Sequence, residues 1–245
     1  LKQQIFGKLD EVCKPGAILA SNTSTLDLDA IAAVTKRPED VIGLHFFSPA
    51  NVMRLLEIVR GKKTAGDVVQ TTLKVARRIK KIGVVAGVCF GFIGNRMLEP
   101  YMREAMRLVL EGATPEQVDG VLTKFGLAMG VFAITDLAGN DVSHMVRESH
   151  REDIAHDPSY QILSDKLFEL GQYGQKTGQG FYIYEGRNKL ANPEVDVLAK
   201  RVADELGITR RTISDEEIFE RCIYMLINEA ADILDEGIAL RSSDC

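Results

Sequence analysis

The sequence predicts an α/β unit followed by an all-α unit. Three observations predict it. Short β-branched, apolar runs at 17–21, 41–46, 55–59 and 82–86 alternate with amphipathic helical stretches over the first 90 residues. From residue 91 the spacing of apolar residues becomes helical and stays so. A stretch of that helical part then recurs near the end of the chain.

Taken in order, residues 1–14 carry Leu1, Ile5, Leu9 and Val12 on one helical face, and Lys14-Pro15-Gly16 ends that helix. AILAS (17–21) reads as a strand, and Asp27 to Val34 as a short helix stopped before Arg37-Pro38. VIGLHF (41–46) and LLEIV (55–59) are strands joined by a loop with a proline and turn formers. Residues 65–81 form an amphipathic helix whose basic end suits the helix dipole, and IGVVA (82–86) is a further strand. Strands linked by helical crossovers should be parallel, whereas the short 46–55 connection implies an antiparallel pairing at a sheet edge. Helices are expected at 92–111, with Pro100 as a kink or early turn, and at 115–125, 136–154 and 160–171. FYIYEG (181–186) reads as an extended tail, 188–196 as a linker, and 195–206 and 215–236 as helices.

The repeat appears at a shift of 125 residues, which lays 103–119 on 228–244. Glu104/Glu229, Ala105/Ala230, Glu111/Glu236, Gly112/Gly237 and Asp119/Asp244 are identical, where roughly one identity is expected by chance. Such a second copy is cut off after its first helix, and the chain reads as a fragment at both ends.

Composition narrows the function. A net charge of −5 carries no nucleic-acid footprint, and no basic stripe suggests an anionic membrane. The longest uncharged, mostly apolar run, 82–94, is too short to span a bilayer. Cys13, Cys89, Cys222 and Cys245 are scattered, which suggests a reducing compartment and argues against a disulfide framework or zinc site. No metal is expected: His144, His150 and His156 lack helical ligand spacing and read as solvated surface.

The densest chemistry lies in 43–61, where His45 and Glu57 fall on neighbouring strands. A histidine there can act as a general base, with a carboxylate on its second ring nitrogen to orient it. The competing reading is a buried structural histidine and an unrelated surface glutamate. Ser24 and Asn95 supply hydrogen-bond donors, yet each also suits a helix cap or a hydroxyl turn. GQYGQKTGQG (171–180) follows no strand and fits neither dinucleotide nor phosphate-loop spacing, so it reads as a turn, with Lys176 structural.

Four segments at family-like spacing, SNTS (21–24), HFFSP (45–49) with Met53 and Glu57 downstream, GFIGNR (91–96) and GQKTGQGFYIY (174–184), resemble the L-3-hydroxyacyl-CoA dehydrogenase family. The repeat makes the chain look most like the dehydrogenase part of multifunctional β-oxidation enzymes. The resemblance implies the C-terminal half of a Rossmann-type NAD-binding domain at 1–90. A helical dehydrogenase domain at 91–187 would follow, then a linker and a truncated second helical copy at 188–245. It implies oxidation of an L-3-hydroxyacyl-CoA thioester to the 3-oxoacyl thioester with NAD. His45, Glu57, Ser24 and Asn95 take the catalytic positions; Asn22, Ser24 and Ser48 lie on the cofactor side. Ser48 departs mildly, since single-function relatives often have asparagine there. The glycine fingerprint for the pyrophosphate lies upstream of residue 1 in the family. The helical domain is expected to pack on its repeat or on a second chain, in a bacterial cytoplasm or a peroxisome. The competing hypothesis is a non-catalytic helical interaction module with an incomplete NAD-binding half.

Overall fold

The computed structural model describes every residue except 149, 150, 155 and 187. Two compact units emerge, Leu1–Leu98 with Ile227–Cys245, and Glu99–Leu226.

The first unit contains α1 (Lys2–Val12), β1 (Leu19–Ser21), α2 (Leu28–Ala32), β2 (Val41–Phe46), β3 (Leu55–Val59), α3 (Gly66–Arg78) and β4 (Ile82–Ala86). The four strands form one sheet in the order β1-β2-β3-β4. The β1–β2 and β3–β4 pairs are parallel and β2–β3 is antiparallel. The antiparallel pair thus sits in the middle of the sheet and not at its edge. Side-chain alternation divides the core. Val41 and Val59 pack with Phe6, Leu28, Ile31, Phe92 and Ile93. Ile42, Leu56 and Ile58 pack on the other face with Val68 and Ala76 of α3. Gly43 is small for a reason: a Cβ there would stand 2.7 Å from that of Val59.

The second unit is helical. It holds most of α4 (Gly94–Glu111), then α5 (Pro115–Phe125), α6 (Val131–Ala138), α7 (Asn140–Glu148), α8 (Arg151–Ile154) and α9 (Ile162–Glu169). After these come a two-stranded sheet of β5 (Tyr182–Glu185) and β6 (Asn188–Ala191), α10 (Pro193–Glu205) and the first half of α11 (Asp215–Asp235). Thr114 caps α5 through the Gln117 N–H, with Pro115 in its first turn.

Several expectations change. The single helix expected at 136–154 is broken at Gly139, whose φ of +100° no helix accepts. Residues 188–191, expected as linker, pair with β5, and Asn192 caps α10. The compact units place 188–226 in the helical unit and 227–245 in the sheet unit. Ile233 is fully buried in a core that holds Val41 and Val59 of the sheet together with Phe92 and Ile93. His144 is not simply solvated: its Nδ1 lies 2.7 Å from Asp165 and its ring stacks on Phe168 at 4.0 Å. His150 lies outside the described residues.

Candidate active site

The β2–β3 register sets His45 directly opposite Glu57. Alternation turns both side chains to the face that carries Phe92 and Ile93. His45 is 6% exposed and Glu57 1%. His45 Nδ1 lies 2.5 Å from Glu57 Oε2. The other carboxylate oxygen, Oε1, accepts the backbone N–H groups of Ile93 at 3.0 Å and Gly94 at 2.8 Å. A buried carboxylate needs such donors, and here three groups supply them. The rings of Phe47 and Phe92 flank the imidazole, with centroids at 4.5 and 5.7 Å. A carboxylate only accepts, so in the neutral ring Nδ1 carries the proton toward Glu57 and Nε2 keeps a lone pair. The arrangement can therefore take a proton at Nε2 and hold the resulting charge against Glu57.

The other candidates lie on segments that border this pair. Ser24 stands in the bend after β1. The turn and the cap beside it are made by its neighbours: Thr23 Oγ1 accepts the Leu26 N–H, and Asp27 Oδ1 accepts those of Asp29 and Ala30. Asn95 is the second residue of α4 and follows Gly94, whose N–H holds Glu57. Asn22 is exposed, and its Oδ1 accepts the Phe46 N–H at 3.1 Å, joining the ends of β1 and β2. Its amide N–H₂ is left for another acceptor. Ser48 is exposed and precedes Pro49 through a cis peptide.

These residues suit the nicotinamide end of a dinucleotide: exposed Asn22 and Ser48 flank the carboxyl ends of β1 and β2, where open α/β sheets bind nucleotides. Among the described residues, no strand leads through a GxGxxG turn into a helix.

Three supports escaped the sequence reading. One is the pair of amides on Glu57. A second is Lys81, which donates to the carbonyls of Ala50 and Met53 and pins the loop between the two strands. The third is Arg96, paired with Glu229 at 2.5 Å and held by both oxygens of Glu236. Glu236 and Glu229 raise the guanidinium's proton affinity further, while burial pushes up the nearby Cys89 thiol. The glycines at 91 and 94 were the available signal for the first; nothing local marked the other two.

Lys176 pairs with Asp141, in keeping with a structural role. Its glycine-rich segment instead wraps a carboxylate: Asp136 accepts the N–H groups of Phe181 and Tyr182, both at 2.9 Å, and a Cβ at Gly180 would collide with it.

Comparison with known proteins places two family models on the chain. Residues 1–89 match the NAD-binding domain of 3-hydroxyacyl-CoA dehydrogenase, and residues 91–184 match the C-terminal domain of the same enzyme. The human peroxisomal bifunctional enzyme is 47% identical over 98% of this chain, which spans only 35% of that protein. The crystal structure of 3-hydroxybutyryl-CoA dehydrogenase from Escherichia coli superposes with a TM-score of 0.80 at 29% identity, covering 99% of this chain and 67% of its own. The dehydrogenase part of multifunctional enzyme 1 from C. elegans gives a TM-score of 0.69 at 32% identity, covering 99% and 55%.

Proposed function

The chain belongs to the 3-hydroxyacyl-CoA dehydrogenase family, and on that footing we propose that it carries the reacting groups for oxidation of an L-3-hydroxyacyl-CoA to the 3-oxoacyl-CoA. The observation that carries the reading is the 2.5 Å contact between His45 Nδ1 and Glu57 Oε2 in a buried setting. His45 Nε2 takes the proton of the substrate's 3-hydroxyl, and Glu57 orients the ring and stabilises the imidazolium. Ser24 and Asn95 hold the hydroxyl and the thioester carbonyl by hydrogen bonds. Asn22, Ser24 and Ser48 contact the nicotinamide end of NAD, which when bound supplies the hydride acceptor. The non-catalytic alternative is not favoured, because a surface module has no use for a buried, triply donated carboxylate on a histidine.

The family of the whole protein supports a larger setting. We propose a multifunctional enzyme of peroxisomal fatty-acid β-oxidation. Relatives named as peroxisomal, the human enzyme at 47% identity among them, support that reading. No helix among the described residues is long and apolar enough to cross a membrane.

A duplicated helical domain belongs to the same proposal. Arg96 and Arg221 are also 125 residues apart, and their ion pairs follow the repeat. Arg96 binds Glu229 and Glu236; Arg221 binds Glu104 and Glu111. The helix ends match as well: Ala113 N–H bonds to Leu108 O, and Ile238 N–H to Ile233 O, both at 3.0 Å. On this reading 91–187 is one copy and the helix after 215 opens a second.

Acetoacetyl-CoA-dependent oxidation of NADH, measured on the natural gene product that contains these residues, tests the function. His45→Gln should lower kcat by about 10²–10⁴-fold, the usual worth of a general base, with KM for the thioester little changed. Full activity in that variant would remove His45 from the chemistry.

A further inference from the structure

Two successive residues before α4, Gly91 at φ +76° and Phe92 at φ +53°, take the left-handed backbone conformation. For Gly91 the reason is local: a Cβ would stand 2.8 Å from the Arg96 nitrogen. Phe92 has no such excuse. Few non-glycine residues adopt that conformation, and here the residue is a fully buried phenylalanine. Its neighbours hold it there. Its N–H bonds to Cys89 O at 3.4 Å, its carbonyl accepts the Cys89 thiol at 3.1 Å, and its ring is packed in the sheet unit's core.

The consequence is seen in the next two amides. Ile93 and Gly94 open the first turn of α4, where N–H groups have no acceptor within the helix. The left-handed pair turns both toward one point, which makes a small anion-binding concavity of backbone N–H groups. The anion in it is Glu57 Oε1, at 3.0 and 2.8 Å, while Oε2 of the same carboxylate meets His45. The Phe92 ring also stands 5.7 Å from the imidazole.

We propose that Phe92 is a positioning residue for the dyad: its left-handed backbone aims the Ile93 and Gly94 amides at Glu57 and so fixes the carboxylate against His45. The inference rests on reading His45 and Glu57 as the reacting pair. Its test follows protons and not turnover, so it can fail while that reading stands.

The test is a pH titration of the full chain by nuclear magnetic resonance, following the His45 ring and the amide protons of Ile93 and Gly94. Both amide signals should move with the midpoint of His45, because all three groups share one carboxylate. Amides that stay still while His45 titrates overturn the proposal. Two variants then separate backbone from bulk. Phe92→Gly accepts the left-handed conformation freely but leaves a large void. Phe92→Val fills more of the core but resists that conformation. The Ile93 and Gly94 amide signals should keep their pH response in Phe92→Gly and lose it in Phe92→Val, where the amides no longer aim at Glu57. A core-packing role alone predicts the reverse order, and either that order or an equal response in both variants overturns the proposal. Should Phe92→Val fail to fold, Phe92→Asn, which tolerates the left-handed conformation far better, should keep the response, and its loss there overturns the proposal.

Discussion

Two buried carboxylates are held in contrasting ways. Glu57 shares its oxygens between two amides and the His45 imidazole. Replacing it by glutamine keeps the shape but puts an N–H₂ where an acceptor is needed, either against the amides or against Nδ1. Glu57→Gln should therefore lower kcat by at least about 100-fold with less effect on thioester binding; equal losses in both would point to a folding role. Asp136 is 1% exposed and accepts from two amides and the Tyr184 hydroxyl. Burial nevertheless pushes its pKa up to about 6, with the Asp119 charge adding to the rise. A carboxyl whose folded pKa is raised binds its proton more tightly in the folded state. Stability from this group is thus greatest below about pH 4, falls as pH rises toward 6, and is flat above. Carbon-detected titration of the Asp136 carboxyl should show a midpoint near 6, while a midpoint below 4 would mean that the three donors outweigh burial.

Elements here are placed by ion pairs as well as by apolar faces. Arg221 of α11 meets Glu104 at 2.5 Å and Glu111 at 2.7 Å on α4, within one compact unit, with about a fifth of each side chain exposed. This lies between a surface pair and a buried one. Arg221→Met should cost about 1–3 kcal/mol in urea unfolding. Adding Glu104→Gln should recover part of that loss, because a half-buried carboxylate is no longer left alone; strict additivity would show that the pair does not couple. The β2–β3 hairpin was legible from composition alone, at 41–46 and 55–59, because both strands are β-branched and bounded by turn formers. The α6–α7 break was not, because Gly139 within an apolar run reads equally as a tolerated helical glycine.

At the scale of the whole molecule, His45 and Glu57 lie on the unit that matches an NAD-binding domain, and among the described residues no strand runs through a GxGxxG turn into a helix. Isothermal titration of the 245-residue chain with NAD should show no micromolar affinity, since several charge-assisted hydrogen bonds of about 1.5–3 kcal/mol each are not supplied by its residues. Micromolar binding would show that the cofactor site is complete within these residues. The sequence by itself determined the alternation of strands and helices, the strands that bear His45 and Glu57, and the family. Those properties rest on local period and on motifs read along the chain. Only the tertiary structure decided that His45 and Glu57 touch, because strand register depends on which side chains the sheet buries. Only it showed the two amides on Glu57, 36 and 37 residues away in the chain, and the left-handed Phe92 that presents them. It also decided that 227–245 completes the core of the sheet unit. Periodicity says that a helix has an apolar face, but what covers that face is settled by contacts between residues distant in sequence, which no local pattern records.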